Sequence, residues 1–421
     1  MSSNKDDQLV TGGWLMSGSS TYQVQSLLGH GTFGSVAKCT RMDDMKTVAI
    51  KMIKKGDFDV HQASLEMAAL MKLKSLDPDE CNLVRWYQVF IDRGNICLEF
   101  EHLDKSLFDL LQERDSQPLH LNEIRPIVQQ LACALGHLKA VGVIHADLKL
   151  ENVMLVNHLQ EPYRVKVIDF GQAQNVSAGQ LGSYIQTRQY RSPEIILGFP
   201  FTEAIDMWSL GCLAAELFLG RMLYPGSCEY DIIRNIVEIQ GQLPDNILTT
   251  GLKTCNFFQR DDSSTNTLWK LKNSQQFHRE TGIRPKKTRR SKLTSLDDLL
   301  HIRIITSEKV AEKYVEMRDV HMFMDMLKGM LPLDPAKRMT PHQVLEHHFT
   351  IMYHFIHLYP CSCYVSSAFH MMDVCRKQDS TFPQWDKSKT TNPVQAHCIK
   401  HIPAPVPRPR VQKQVREEEK G

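Results

Sequence analysis

Between Asp206 and Leu219 the chain reads Asp-Met-Trp-Ser-Leu-Gly-Cys-Leu-Ala-Ala-Glu-Leu-Phe-Leu, apolar on nearly every side of a helix. Such a helix is stable only when other elements wrap all of its faces, so it must lie in the middle of a large lobe. The preceding residues supply the wrapping. From Ser106 onward the periodicity is helical, and Ile124, Ile127, Val128, Leu131, Leu135 and Leu138 share one stripe of a helix that Gly142 ends. From Tyr22 to about Phe100 the pattern is instead strand-like with turn punctuation, interrupted by one helical segment around Val60 to Leu76. The expected fold class is therefore α+β, a small β-rich lobe carrying one helix followed by a larger, mainly helical lobe. At 421 residues the chain is long enough for that plan. The expected boundaries are a flexible N-terminus over 1–21, the small lobe and its connection over 22–103, and the large lobe over 104–350. A surface insert is expected at about 241–306, and a partly disordered tail over 351–421.

Composition excludes little beyond this. A formal net charge of +2 gives no reason to expect bulk binding to nucleic acid or membrane. The N-terminus lacks an apolar signal core, Ser2 stands where myristoylation needs glycine, and no apolar run reaches spanning length, so an intracellular protein is expected. Eleven scattered cysteines read as free thiols. His347, His348, His354, His357, Cys361 and Cys363 are close in sequence but fit no standard zinc spacing, and a helical His-rich surface is the expectation. The basic run Arg284 to Lys292 reads equally as an import signal, an acidic-partner patch or a solvated loop. Order is expected to weaken after about Tyr353, and the Pro-rich, then charged end should be extended.

Chemistry is carried by short segments. In Ile144-His-Ala-Asp-Leu-Lys-Leu-Glu-Asn152, an aspartate able to take a hydroxyl proton is followed by a lysine two residues on and an asparagine five residues on. Asp169-Phe170-Gly171 follows after a β-type segment and adds a second carboxylate. Base and metal ligands for phosphoryl transfer are then all present. Gly29-His-Gly-Thr-Phe-Gly34 lies between two strand-like runs, where small residues let backbone amides approach phosphates. A dinucleotide loop would need a helix next, whereas Ala37 to Lys51 continues as strand, turn and strand. Val48-Ala49-Ile50-Lys51 ends in a lysine suited to hold anionic phosphates, and Glu66 on the following helix can reach back to it.

With these residues in place, the chain resembles a eukaryotic protein kinase from about Tyr22 to Phe349. The resemblance implies a bilobal kinase fold, ATP as phosphate donor and Mg2+. It makes Asp147 the base, Lys149 the residue that steadies the transferring group, and Asn152 and Asp169 the metal ligands. Lys51 and Glu66 would pair. Leu28, Gly29, Gly31, Gly34, Val36, Ala49, Lys51, Phe100, Glu101 and Leu103 would bind the nucleotide, with Phe100 limiting the back of the pocket. Phe170 would pack between the lobes, and Glu194 of Ser192-Pro193-Glu194 would bridge to Arg338. Two departures stand out, Ala146 where most kinases carry arginine and Leu150 where proline is usual. The segment Gly182 to Glu194 is similar to that of the dual-specificity tyrosine-regulated and homeodomain-interacting kinases, and the forms around Asp147, Asp169 and Asp206 point to the homeodomain-interacting branch. In those kinases a tyrosine at the Tyr184 position is phosphorylated by the enzyme itself, and Arg188 and Arg191 would pair with its phosphate. Also implied are serine/threonine specificity, protein substrates among transcription factors or co-regulators, and a nuclear and cytoplasmic location; no direct nucleic-acid or membrane contact is expected from the charge and the lack of a spanning run, and a monomer is the default. A catalytically silent scaffold and a small-molecule kinase are the rival readings.

Overall fold

Alternation over Tyr22–Ala37–Val48–Ile50–Cys97 puts one face of each N-terminal strand in a common interior, and six strands curl around it. The computed structural model describes residues 9–31, 34–53, 57–175, 184–261, 268–286, 293–302, 309–358 and 362–376, with backbone alone at 57–62. Strands β1 (Trp14–Met16), β2 (Thr21–Gly31), β3 (Gly34–Arg41), β4 (Lys46–Ile53), β5 (Trp86–Asp92) and β6 (Asn95–Glu101) form one antiparallel sheet in the order β1-β2-β3-β4-β6-β5. Tyr22 and Phe90 stack inside it with ring centres 5.3 Å apart. Glu99, fully buried there, is made affordable by three donors: Tyr22 Oη at 2.9 Å, Gln88 Nε2 at 2.9 Å and Arg41 Nη1 at 2.8 Å. Helix α1 (Asp57–Leu73) lies between β4 and β5 in the chain and is the small lobe's helix.

The large lobe begins with α2 (Leu107–Glu113) and α3 (Leu121–Ala140). Short strands β7 (Val143–Ile144), β8 (Val153–Leu155), β9 (Val165–Val167) and β10 (Gln174–Asn175) then carry the chemistry-bearing segments, β8 pairing with β9 and β7 with β10. After α4 (Pro193–Leu197) comes α5 (Ala204–Leu219), in which every residue from Ile205 to Leu219 is buried. The all-round apolar pattern thus has its physical outcome. Trp208 stacks on Tyr224 at 5.6 Å, and at Gly211 an added Cβ would come within 2.7 Å of the Leu331 side chain, so the glycine makes room for the distant Met330–Leu331 stretch to lie against the helix.

Beyond α6 (Glu229–Gln240), the stretch expected as a surface insert holds α7 (Asp245–Thr250), α8 (Thr254–Phe257), the hairpin β11 (Phe258–Arg260) and β12 (Trp269–Leu271), α9 (Ser274–Thr281) and α10 (Leu299–Ile302). Its Ile247, Leu248, Phe257, Phe258, Trp269 and Phe277 are buried, so much of it is packed structure. Residues 287–292 of the basic run lie outside the described residues.

The lobe continues through α11 (Val310–Met330), α12 (Pro341–Leu345) and α13 (His348–Ile351), and order extends past Tyr353 into α14 (Cys363–Met371) and α15 (Asp373–Arg376). Val365, Ala368, Met372 and Cys375 pack with Val315, Met352 and Phe355 into their own core, while residues 359–361 and 377–421 of the expected tail lie outside the described residues. The His-rich surface is corrected in part. His354 is buried, its Nε2 2.9 Å from Asp319 Oδ1, because Asp319 and Arg125 form a buried pair that needs further partners. Among the described residues no cluster of three or more metal-binding side chains occurs, no cysteine forms a disulfide, and no helix is long and apolar enough to cross a membrane.

Candidate active site

A cleft of about 710 Å³ lies between the sheet and the helical lobe. One part is an apolar slot of Leu28, Val36, Ala49, Leu103, Met154 and Ile168, and the other end is charged, with Lys51, Glu66, Asp147, Lys149, Asn152 and Asp169. Such a slot suits a flat heterocycle with a polyanionic tail. Gly29, Gly34, Phe100 and Glu101 also line it, while Gly31 pairs with Gly34 where β2 turns into β3. At Gly34 an added Cβ would lie 2.1 Å from the Met52 carbonyl oxygen, so the glycine is demanded first by the close approach of β3 to β4. Thr32 and Phe33 lie outside the described residues.

Lys51 Nζ is 2.7 and 2.9 Å from the two Glu66 oxygens and 2.8 Å from Asp169 Oδ1. Burial works against its charge, but Asp169 and Glu66 outweigh that and push the pKa up. Burial likewise opposes the Asp169 carboxylate, which Lys51 nevertheless holds below the usual carboxylate range. The ammonium is therefore charged at neutral pH. Asp169 has φ 60, a left-handed backbone that short polar residues tolerate, and Phe170 beside it is buried edge-on against His145 at 5.2 Å.

Asp147 is held on both sides. Its Oδ1 accepts from the Thr187 amide at 3.0 Å and the Thr187 hydroxyl at 2.7 Å, and its Oδ2 accepts from Lys149 Nζ at 2.8 Å and Asn152 Nδ2 at 3.1 Å. A hydroxyl thus reaches this carboxylate at the distance proton transfer needs. The backbone before it is set by Asp206 on α5, whose buried carboxylate accepts the His145 amide at 2.7 Å and the Ala146 amide at 2.9 Å. Ala146, at φ 60, packs with Ile144, Ile185, Ile195 and Ile205, where a charged side chain would be out of place. Leu150 is fully buried in the main core.

Asn152 and Asp169 offer an amide and a carboxylate, hard oxygen donors that suit magnesium but are too few to hold it without phosphate oxygens, the usual way that ion binds. The charged end therefore fits a metal that arrives with a phosphate chain.

Tyr184, Arg188 and Arg191 stand together away from the cleft. Tyr184 is 63% exposed, Arg188 Nη2 is 3.4 Å from its hydroxyl, and the Arg191 guanidinium lies 3.8 Å from the ring centre. Hydrogen bonds from Arg188 and Arg191 lower the phenol's pKa. Arg191 is anchored on the Gln186 carbonyl at 2.7 Å and Glu229 at 2.7 Å. Residues 176–183 lie outside the described residues. Glu194 and Arg338 meet at 2.7 Å, both buried.

Sequence reading missed Val84, Met154 and Ile168 in the slot, Thr187 on the base, and Asp206 behind it. Ile168 and Met154 flank recognised residues and could have been found by position. Val84 carries no local signal, and Asp206 lies in a segment that the sequence singles out without giving this carboxylate a role.

This fold and this cleft define a protein kinase domain. The model of the protein kinase domain matches residues 22–350, and the chain belongs to that family. It is 45% identical over 388 residues to homeodomain-interacting protein kinase 2 of Mus musculus, covering 92% of this chain and 32% of that one. Homeodomain-interacting protein kinase 1 of Caenorhabditis elegans is 42% identical over 85% of this chain and 43% of its own. Homeodomain-interacting protein kinase 4 of Homo sapiens is 39% identical over 79% of this chain and 55% of its own. The chain thus spans about a third to a half of the curated relatives it matches.

Proposed function

We propose that this chain is a serine/threonine protein kinase of the homeodomain-interacting type, using ATP with magnesium and maturing by its own phosphorylation of Tyr184. The observation that carries this is the Asp147 carboxylate, held by Lys149 and Asn152 with a hydroxyl at 2.7 Å, in a cleft whose far wall holds the Lys51–Glu66 pair. Asp147 takes the proton of the substrate hydroxyl at Oδ1, a contribution of about 10²–10⁴-fold. Lys149, already 3.2 Å from the Thr187 hydroxyl, steadies the group in flight, and Lys51 neutralises the phosphate chain. Magnesium, when bound by Asn152 and Asp169, supplies positive charge to the phosphate oxygens.

The names of the relatives and the arginines around Tyr184 support the rest of the reading. Homeodomain-bearing and other transcription-related proteins are the proposed substrates, met by a monomer in the nucleus and cytoplasm without direct contact to nucleic acid. Incubation with labelled ATP and a protein mixture, followed by identification of the labelled residues, tests it. Label on serine and threonine is expected; label on a small metabolite alone would contradict it.

A further inference from the structure

Lys166 lies in β9, three residues before Asp169, with its side chain 1% exposed. An ammonium at that depth is expensive unless it is paired and hydrogen-bonded. Its Nζ is 2.6 Å from Asp79 Oδ1 and 2.6 Å from Glu101 Oε1. Asp79 belongs to the loop between α1 and β5. Glu101 is the last residue of β6 and lines the cleft. The same Glu101 oxygen accepts the Arg85 amide at 2.6 Å, and the Arg85 guanidinium reaches Asp79 Oδ2 at 2.5 Å. Backbone bonds reinforce the junction, from the Val84 amide to the Val167 carbonyl at 3.0 Å, the Val167 amide to the Asn82 carbonyl at 2.9 Å and the Glu101 amide to the Arg85 carbonyl at 3.0 Å. One buried ammonium therefore joins the loop that follows the Glu66 helix, the strand that leads to Asp169, and the strand end that meets the nucleotide.

Stability alone is a weak reason for it, since a buried ion pair is often no better than a packed apolar group of the same size. Lys166 does not line the cleft either. We propose that Lys166 is a positioning residue for the nucleotide cleft: by holding Asp79 and Glu101 on one atom it fixes where the end of β6 stands relative to Asp169. The proposal rests on the ATP-dependent reading above.

The test uses Lys166→Met, which keeps the volume and removes the charge, and Asp79→Asn, which changes a half-exposed side chain and so keeps the fold even if the first variant does not. Affinity for a non-hydrolysable ATP analogue with magnesium is measured by calorimetry, with melting temperature and steady-state kinetics alongside. In Lys166→Met the analogue should bind roughly fivefold more weakly and KM for ATP should rise alike, as for a coupling between neighbouring elements. The peptide KM should stay unchanged and kcat within about twofold. Asp79→Asn should move affinity the same way by less, and the double variant should be no worse than Lys166→Met. Wild-type affinity in folded Lys166→Met or in Asp79→Asn overturns the proposal, as does a loss that only tracks lowered melting temperature. If the wild type binds the analogue yet transfers no phosphate, the functional reading falls while the effect on affinity still decides for or against the tie.

Discussion

The Arg191 guanidinium lies 3.8 Å from the centre of the Tyr184 ring, while its nitrogens hold the Gln186 carbonyl and Glu229. The ring is therefore stacked on a cation that is itself fixed, and a phosphate on Tyr184 would meet Arg188 from the side. Charge-assisted hydrogen bonds of this kind contribute roughly 1.5–3 kcal/mol each. Tyr184-phosphorylated protein should melt higher than the unphosphorylated form, and Arg188→Ala, which loses the bond to the Ser227 carbonyl at 2.7 Å in both forms, should shrink the difference between the two melts to a small part of its wild-type value. Equal gains with and without Arg188 would show that it takes no part.

Most of the chemistry was legible because it is local. Lys51, Asp147, Asn152 and Asp169 sit in segments whose residue types and spacing are fixed by the reaction, and all four line the cleft. The apolar surround of α5 announced its burial for the same reason. What stayed hidden depends on distant partners. The segment around Asp206 marks the kinase branch, but only the fold brings its carboxylate under His145 and Ala146 and so shows what it does. The segment after Tyr353 mixes histidine, cysteine and short apolar runs with no clear period, and its order comes from Val315, Asp319 and Arg125, far back in the chain.

Tyr364 in α14 donates to Asp319 Oδ2 at 2.7 Å, and the Asn122 side chain donates to the Tyr364 carbonyl at 3.3 Å. Removing the phenol hydroxyl leaves a buried carboxylate one donor short, which costs about 1–3 kcal/mol. Tyr364→Phe should lower the unfolding free energy by that amount in a urea titration. Ending the chain after Leu358 should cost more, since Phe355, Met352 and Val315 lose their cover. An unchanged midpoint for both would mean that α14 does not stabilise the lobe.

Glu216 on α5 accepts from Tyr190 Oη at 2.5 Å and is buried. Burial raises its pKa from 4.5 to about 7, Tyr190 opposing and Glu151 adding to the rise. The folded state then keeps the proton at pH values where the unfolded chain has lost it, so stability falls as pH rises from the ordinary carboxylate range to about 7 and is flat beyond. The full cost of ionisation is on the order of 3 kcal/mol. Glu216→Gln, which can still accept from Tyr190, should melt above wild type at pH 8 and lose that advantage toward pH 4.5. A difference in melting temperature that does not change with pH would contradict this assignment.

The most direct measurement is mass spectrometry of phosphosites on the protein made in bacteria, wild type beside Asp147→Asn. Phosphate on Tyr184 in the wild type and none in the variant is the predicted result. Phosphate in both, or in neither while ATP still binds, would contradict Asp147 as the base of a self-maturing kinase.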